Sequence, residues 1–176
     1  MVDKINSKNP MLRKNPLHKF LFFLLLIFYS IGINSCDNSR VFEENKKIEK
    51  NNWNQDDPLV FLVNMHDTVS PHNVYLNVRN AGFYPFSNLF LFINTHFPQG
   101  QIDRDTVEIT LASPDGKWVG DGLGDIYDNR ILFHRNVRFP QAGEYRFEIL
   151  HAMRVNPLPG IMDAGIRIVK STMNNE

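Results

Sequence analysis

From residue 59 onward, apolar and polar side chains alternate with a period of two, the pattern of a strand with one buried face. Val74, Leu76 and Val78 alternate with Asn73, Tyr75, Asn77 and Arg79, which predicts one dry and one wet face. Val107, Ile109 and Leu111 repeat the pattern against Thr106, Glu108 and Thr110, and Tyr145, Phe147 and Ile149 repeat it against Arg146 and Glu148. Two runs are apolar on both faces. Residues 59–63 are one, and residues 88–95 (NLFLFINT) are the other, which predicts a central strand covered on both sides. Shorter strands are expected at Trp118-Val119, Ile131-Leu132-Phe133 and around Ile166 and Ile168. Turn-forming groups separate these runs, as in Asn80-Ala81-Gly82, Ser113-Pro114-Asp115-Gly116, Pro140-Gln141-Ala142-Gly143 and Pro157-Leu158-Pro159-Gly160. After Trp53 no stretch sustains a 3.6-residue apolar period. The expected fold is therefore all-β, an antiparallel β-sandwich of about seven or eight strands over residues 57–171, immunoglobulin-like or jelly-roll-like. A closed barrel is the alternative. Phe139-Pro140-Gln141-Ala142-Gly143-Glu144-Tyr145 fits either a tyrosine corner or an ordinary glycine turn before a core tyrosine.

Upstream the pattern changes. Residues 20–33 form an unbroken apolar run behind Lys4, Lys8, Arg13, Lys14 and Lys19, the layout of a signal peptide over residues 1–35. Fourteen helical residues span about 21 Å, short of the ~30 Å hydrocarbon core, so a removable segment is expected over a permanent span. Ile33-Asn34-Ser35-Cys36 matches a lipoprotein cleavage pattern: aliphatic, tolerant, small, cysteine. Cys36 is the single cysteine, and an unpaired thiol in an exported chain needs a purpose. Lipidation supplies one, and two or three acyl chains such as palmitate anchor firmly where one holds only marginally. Residues 36–56 are polar. They read as a tether pinned at its end by Trp53, or as a first strand or short helix docking through Val41, Phe42, Ile48 and Trp53; the tether is preferred. Residues 172–176 read as a tail.

Charge follows the same division. The chain is net neutral, but residues 1–35 carry five basic residues against Asp3, leaving the part from Cys36 at −4. Its cations are scattered, so nothing points to nucleic acid, which requires clustered cations. Asp121, Asp125 and Asp128 lie in a glycine-rich segment and are calcium candidates, although the ligand spacing of an EF-hand is missing. Asp103 and Asp105 flank Arg104 and could form a carboxylate pair for hydrolysis, as could the Asp121–Asp128 loop, although an exposed loop before an edge strand explains them equally well. His66 and His72 bracket a turn, while His134 and His151 fall in strands and read as structural. With no G-x-S-x-G motif, no phosphate-binding loop and the cysteine assigned to lipid, no catalytic residue or cofactor is expected. Two loops read as contact sites for a partner protein: Phe83, Tyr84 and Phe86 in one, and Leu158, Ile161 and Met162 in the other.

Several short pieces in order carry a resemblance. They are Cys36, Tyr75-Leu76-Asn77-Val78-Arg79-Asn80, Tyr84-Pro85-Phe86-Ser87-Asn88-Leu89, Asp105-Thr106-Val107-Glu108, Pro114-Asp115-Gly116-Lys117-Trp118, the glycine loop 120–124, Gly143-Glu144-Tyr145, Met153-Arg154 and Leu158-Pro159-Gly160-Ile161. Together they resemble the gliding-motility lipoproteins of the GldH type from Bacteroidetes. The resemblance implies a cell-envelope lipoprotein tied to the gliding and type IX secretion machinery. It also implies envelope proteins as partners, and the outer membrane as location with the domain in the periplasm. No catalytic residue comes with it. The alternative is a carbohydrate- or peptidoglycan-binding module, with calcium in the Asp121 loop.

Overall fold

The computed structural model describes residues 39–171. The expected signal peptide, Cys36 and the tail lie outside the described residues. Among the described residues there are eleven strands: β1 (Arg40–Lys47), β2 (Asn52–Trp53), β3 (Leu59–Met65), β4 (His72–Ala81), β5 (Asn88–His96), β6 (Ile102–Thr110), β7 (Asp121–Leu123), β8 (Ile126–Val137), β9 (Gly143–His151), β10 (Leu158–Pro159) and β11 (Ile161–Lys170). Eight of these have seven or more residues. Among the described residues the only helical turn is a 3₁₀ turn, Glu49–Asn51.

All pairings are antiparallel. One sheet has the order β1-β11-β4-β8-β7, the second β3-β9-β5-β6, and β10 and β2 form a small ribbon. The two sheets pack face to face as a sandwich. The first contributes Val74, Leu76, Val78, Ala164, Ile166 and Ile168 to the interior. Facing them are Phe61, Val63, Leu89, Leu91, Ile93, Ile109, Tyr145, Phe147 and Ile149. These residues are the apolar members of the alternating runs, so the period-two pattern places the core directly.

The fully apolar runs behave differently from expectation. In β3, Leu62 is half exposed, so this strand lies at a sheet edge with one dry face. In β5, Leu89, Leu91 and Ile93 enter the core, while Phe90 and Phe92 are half-buried on the outer face. The Arg104 guanidinium covers the Phe92 ring at 4.8 Å. Tyr145 resolves the two readings of its turn: its hydroxyl donates to the Gln141 carbonyl at 3.0 Å, the geometry of a tyrosine corner.

The main correction concerns residues 40–56. The preferred tether gives way to the alternative of a first strand: β1 pairs along seven positions with β11, Ile48 and Trp53 are buried and Phe42 packs against the core, while Val41 is exposed. The polar sequence of β1 hid this because backbone pairing to β11 places it there, and its outward side chains join an ion network. Glu43 receives Arg40 at 3.3 Å and Arg130 at 3.2 Å, and it also pairs with Arg167. Burial pushes the Glu43 carboxyl up, but the guanidinium groups outweigh it and hold the group below its usual value.

Candidate functional site

The strand directions divide the sandwich into two ends. At one end lie the loops of residues 48–58, 82–87, 111–125 and 152–160, which hold both loops picked from the sequence. The loops are fastened to one another. Ala81 N–H donates to the Gly160 carbonyl at 2.8 Å and Gly82 N–H to the Asp125 carbonyl at 2.7 Å. Gly160 N–H reaches the Asn51 carbonyl at 2.8 Å, and Leu111 and Ala112 N–H share the Ser87 carbonyl at 2.8 and 2.9 Å. Such cross-links give the end a fixed shape, which lowers the ordering cost of any contact it makes.

The structure brings the two sequence-picked loops together but turns most of their apolar side chains inward. Phe83 is open, at 66% exposure. Tyr84 is buried, its hydroxyl donates to the Asn88 carbonyl at 2.9 Å, and burial raises its pKa well above the usual phenol value. Phe86 is half-buried and edge-on to Tyr84 at 5.7 Å. Leu158 and Ile161 are fully buried: Leu158 lies in β10 and Ile161 opens β11, while Met162 is half-buried. As contact residues, Tyr84, Leu158 and Ile161 are therefore corrected to core. The reason is that this end needs its own lid over the sheet edges, and these loops supply it.

Other residues at the same end take their place. Leu123 at the β7–β8 turn is 87% exposed, Val119 56%, Val155 44% and Ile126 37%. Sequence reading missed them because a single apolar residue in a glycine- or asparagine-rich loop carries no periodicity. The available signal was the reverse one: Val119 and Leu123 flank glycines in a segment too polar to build a core.

The remaining candidates fall elsewhere. Asp121 and Asp128 are cross-strand partners in the β7–β8 pair, and Asp125 lies in the turn joining these strands. Asp128 is engaged by Arg79 at 2.5 Å, and Arg79 also reaches Asp163 at 3.1 Å. Asp163 is nearly buried, and desolvation raises its pKa despite Arg79. Beside these pairs, Asn45, Asn77 and Arg130 complete the wall of an open polar cleft of about 440 Å³ on the outer face of the five-stranded sheet. Beside it, β1 lies closely over Gly165, where a Cβ would clash with the Glu44 carbonyl and the Asn45 side chain. Among the described residues no three His, Cys, Asp or Glu side chains converge on a metal-sized site. Asp103 and Asp105 line the open side of the sandwich, with His134 3.7 Å from Asp105 and both partners well exposed. His66 is exposed while His72 is buried edge-on to Phe139 at 5.5 Å. His151 is buried beside Trp53 at 5.6 Å.

Comparison with known proteins gives a consistent result. The family described as GldH lipoprotein matches residues 40–168, from the first residue of β1 to within two residues of the end of β11. A gliding motility lipoprotein GldH homolog of Christiangramia forsetii is 36% identical over 159 residues, covering 86% of this chain and 94% of that protein. The gliding motility lipoprotein GldH of Flavobacterium johnsoniae is 34% identical over 151 residues, covering 82% and 93%. Among solved structures, the VP2 subviral particle of infectious bursal disease virus aligns at a TM-score of 0.30 and 12% identity; the match covers 77% of this chain and about a third (34%) of that one. With a family match across both sheets and relatives matched over nearly their whole length, the chain belongs to the GldH lipoprotein family.

Proposed function

We propose that this protein is a lipid-anchored envelope component of the gliding-motility apparatus, and of the type IX secretion machinery tied to it, that docks another envelope protein through its loop end. The observation that carries the docking role is the collection of exposed apolar side chains there. Phe83, Val119 and Val155 on the loops, with Leu123 and Ile126 at the facing ends of β7 and β8, stand open at an end tied together by backbone hydrogen bonds. Exposed apolar groups on a rigid, polar-rimmed surface suit a protein partner. Family membership and the names of the two relatives support the motility context. Cleavage before Cys36, acylation of its thiol and residence in the outer membrane facing the periplasm complete the reading.

The test is photo-crosslinking in cells, with the reactive residue placed at Phe83 or Leu123 and captured proteins identified by mass spectrometry. Capture of motility or secretion components is expected. Crosslinks that never exceed those from an exposed site on the opposite end would sink the docking role.

A second reading, binding of a glycan, is supported by the polar cleft beside Asn77 and Arg79. Paired carboxylate–guanidinium groups and amides suit vicinal hydroxyls. A glycan array with and without Ca²⁺ tests it, and uniformly flat signals remove it.

A further inference from the structure

The distance between the lipid and the fold is set by very few residues. Only residues 37–39 separate Cys36 from Arg40, where β1 begins. Four Cα steps of at most ~3.6 Å reach about 14 Å. The headgroup layer on one side of a bilayer takes up roughly 5–8 Å of that. The remainder is too short to lift the start of β1 clear of the membrane.

The end of the sandwich that holds the start of β1 is the one opposite the docking loops. Antiparallel pairing brings the last residues of β11, the first of β4 and the last of β8 beside it. Several contacts bind the neighbouring loop of residues 66–71 to this corner. Lys170 N–H donates to the Ser39 carbonyl at 2.7 Å, and Ser171 N–H to the Pro71 carbonyl at 2.8 Å. The Lys170 ammonium lies 2.8 Å from Asp67, and Arg138 Nε donates to the Val69 carbonyl at 3.1 Å. That loop presents Val69 at 77% exposure, and Ile102 at the start of β6 is 58% exposed at the same end. Arg135 and Arg138 are exposed basic groups at this end, joined by Arg40, which pairs with Glu43, and by the half-exposed Lys170, which pairs with Asp67, while Asp103 follows Ile102 in β6. Exposed apolar side chains with arginines nearby are what a surface-resting domain offers to headgroups, the stems lying low while the charges meet phosphate. The ten residues of β4 run from this end to the other, about 33 Å at ~3.3 Å each, so the two ends meet different surroundings.

We propose that the Ser39–Lys170 end of the sandwich rests on the bilayer that holds the protein's own acyl chains, with Val69 and Ile102 at headgroup level, and that the Phe83–Leu123 end therefore points away from the membrane. The proposal rests on lipidation of Cys36. An upright stance separates the anchoring surface from the docking surface, so one protein can hold the membrane and a partner at once.

The test uses the mature, lipidated, full-length chain carrying one added cysteine, Val69→Cys or Leu123→Cys. Both sites are exposed, so neither change disturbs the core. Each is labelled with an environment-sensitive fluorophore and reconstituted into phosphatidylcholine–phosphatidylglycerol vesicles containing a headgroup spin label. Acylation blocks Cys36, leaving the added thiol as the single labelling site, and the intact mass of the same sample reports the acyl chains. Quenching at position 69 several-fold stronger than at position 123 is expected. Equal quenching, as for a sandwich lying on its side, or stronger quenching at position 123, overturns the stance. An intact mass without acyl chains overturns the anchor reading itself, and with it the proposal.

Discussion

Gly160 has φ +87, and a Cβ there would lie 2.8 Å from the Tyr84 Cα. Backbone conformation and backbone proximity thus both demand glycine where the 157–160 loop meets the 82–87 loop. Gly160→Ala should cost about 1–3 kcal/mol, read as a lower urea midpoint with little change in slope. A fall of only a few tenths would show that the two loops can separate freely. Tyr145 makes a contrasting case. Its corner was visible as one of two readings of the sequence, because the Gly143-Glu144-Tyr145 spacing places the ring one turn from Gln141. The need for Gly160 was not visible, because it depends on Tyr84, far away in the chain.

At the level of elements, β1 is the strand that polarity disguised. Its outward positions are charged, and its place at the sheet edge comes from pairing with β11 and from the Arg40, Arg130 and Arg167 contacts to Glu43. Surface ion pairs each contribute only about 0–1 kcal/mol, so the backbone pairing is the larger part. A chain beginning at Ile48 should leave the β11 edge open and self-associate. Sedimentation and thermal unfolding would show oligomers and a lowered Tm, and a monomer with unchanged Tm would make β1 dispensable.

The buried histidines that open β4 and close β9 belong to the same scale. Burial is the main cause holding His72 and His151 below the ordinary histidine pKa. As pH falls through about 6.5, the unfolded chain therefore takes up protons that the folded chain refuses, and stability declines. Glu43 and Glu148, both held below 4.5, add their losses only in a lower window. Asp163, raised by burial, works in the opposite sense near its own titration. The urea midpoint should drop between pH 7 and 5, and His72→Phe with His151→Phe should flatten that drop. An equal slope in the double variant would assign the effect to other groups.

For the molecule as a whole, the two ends are chemically distinct surfaces on one rigid frame. Phe83→Asp and Leu123→Asp should change stability by no more than about 0.5 kcal/mol, because neither side chain packs in the core. The same variants should lose crosslinked partners in cells. Lost partner capture together with a collapsed Tm would show that these residues hold the loops rather than a partner.

The sequence by itself determined the class of fold and most of the core, because period-two alternation is a local property that survives in a single sheet face. Val74, Leu76, Val78, Tyr145, Phe147 and Ile149 could be assigned inward from spacing alone. A lipidation motif is equally local, a short string whose meaning does not wait for folding. Tertiary structure alone decided which apolar loop residues stay open. Leu123 and Leu158 look alike in sequence, yet one is 87% exposed and the other fully buried. It also recruited β1, buried His72 while leaving His66 exposed, and placed the start of β1 and the Phe83 loop at opposite ends. Exposure and edge pairing depend on what the chain brings back from scores of residues away, and no local pattern encodes that.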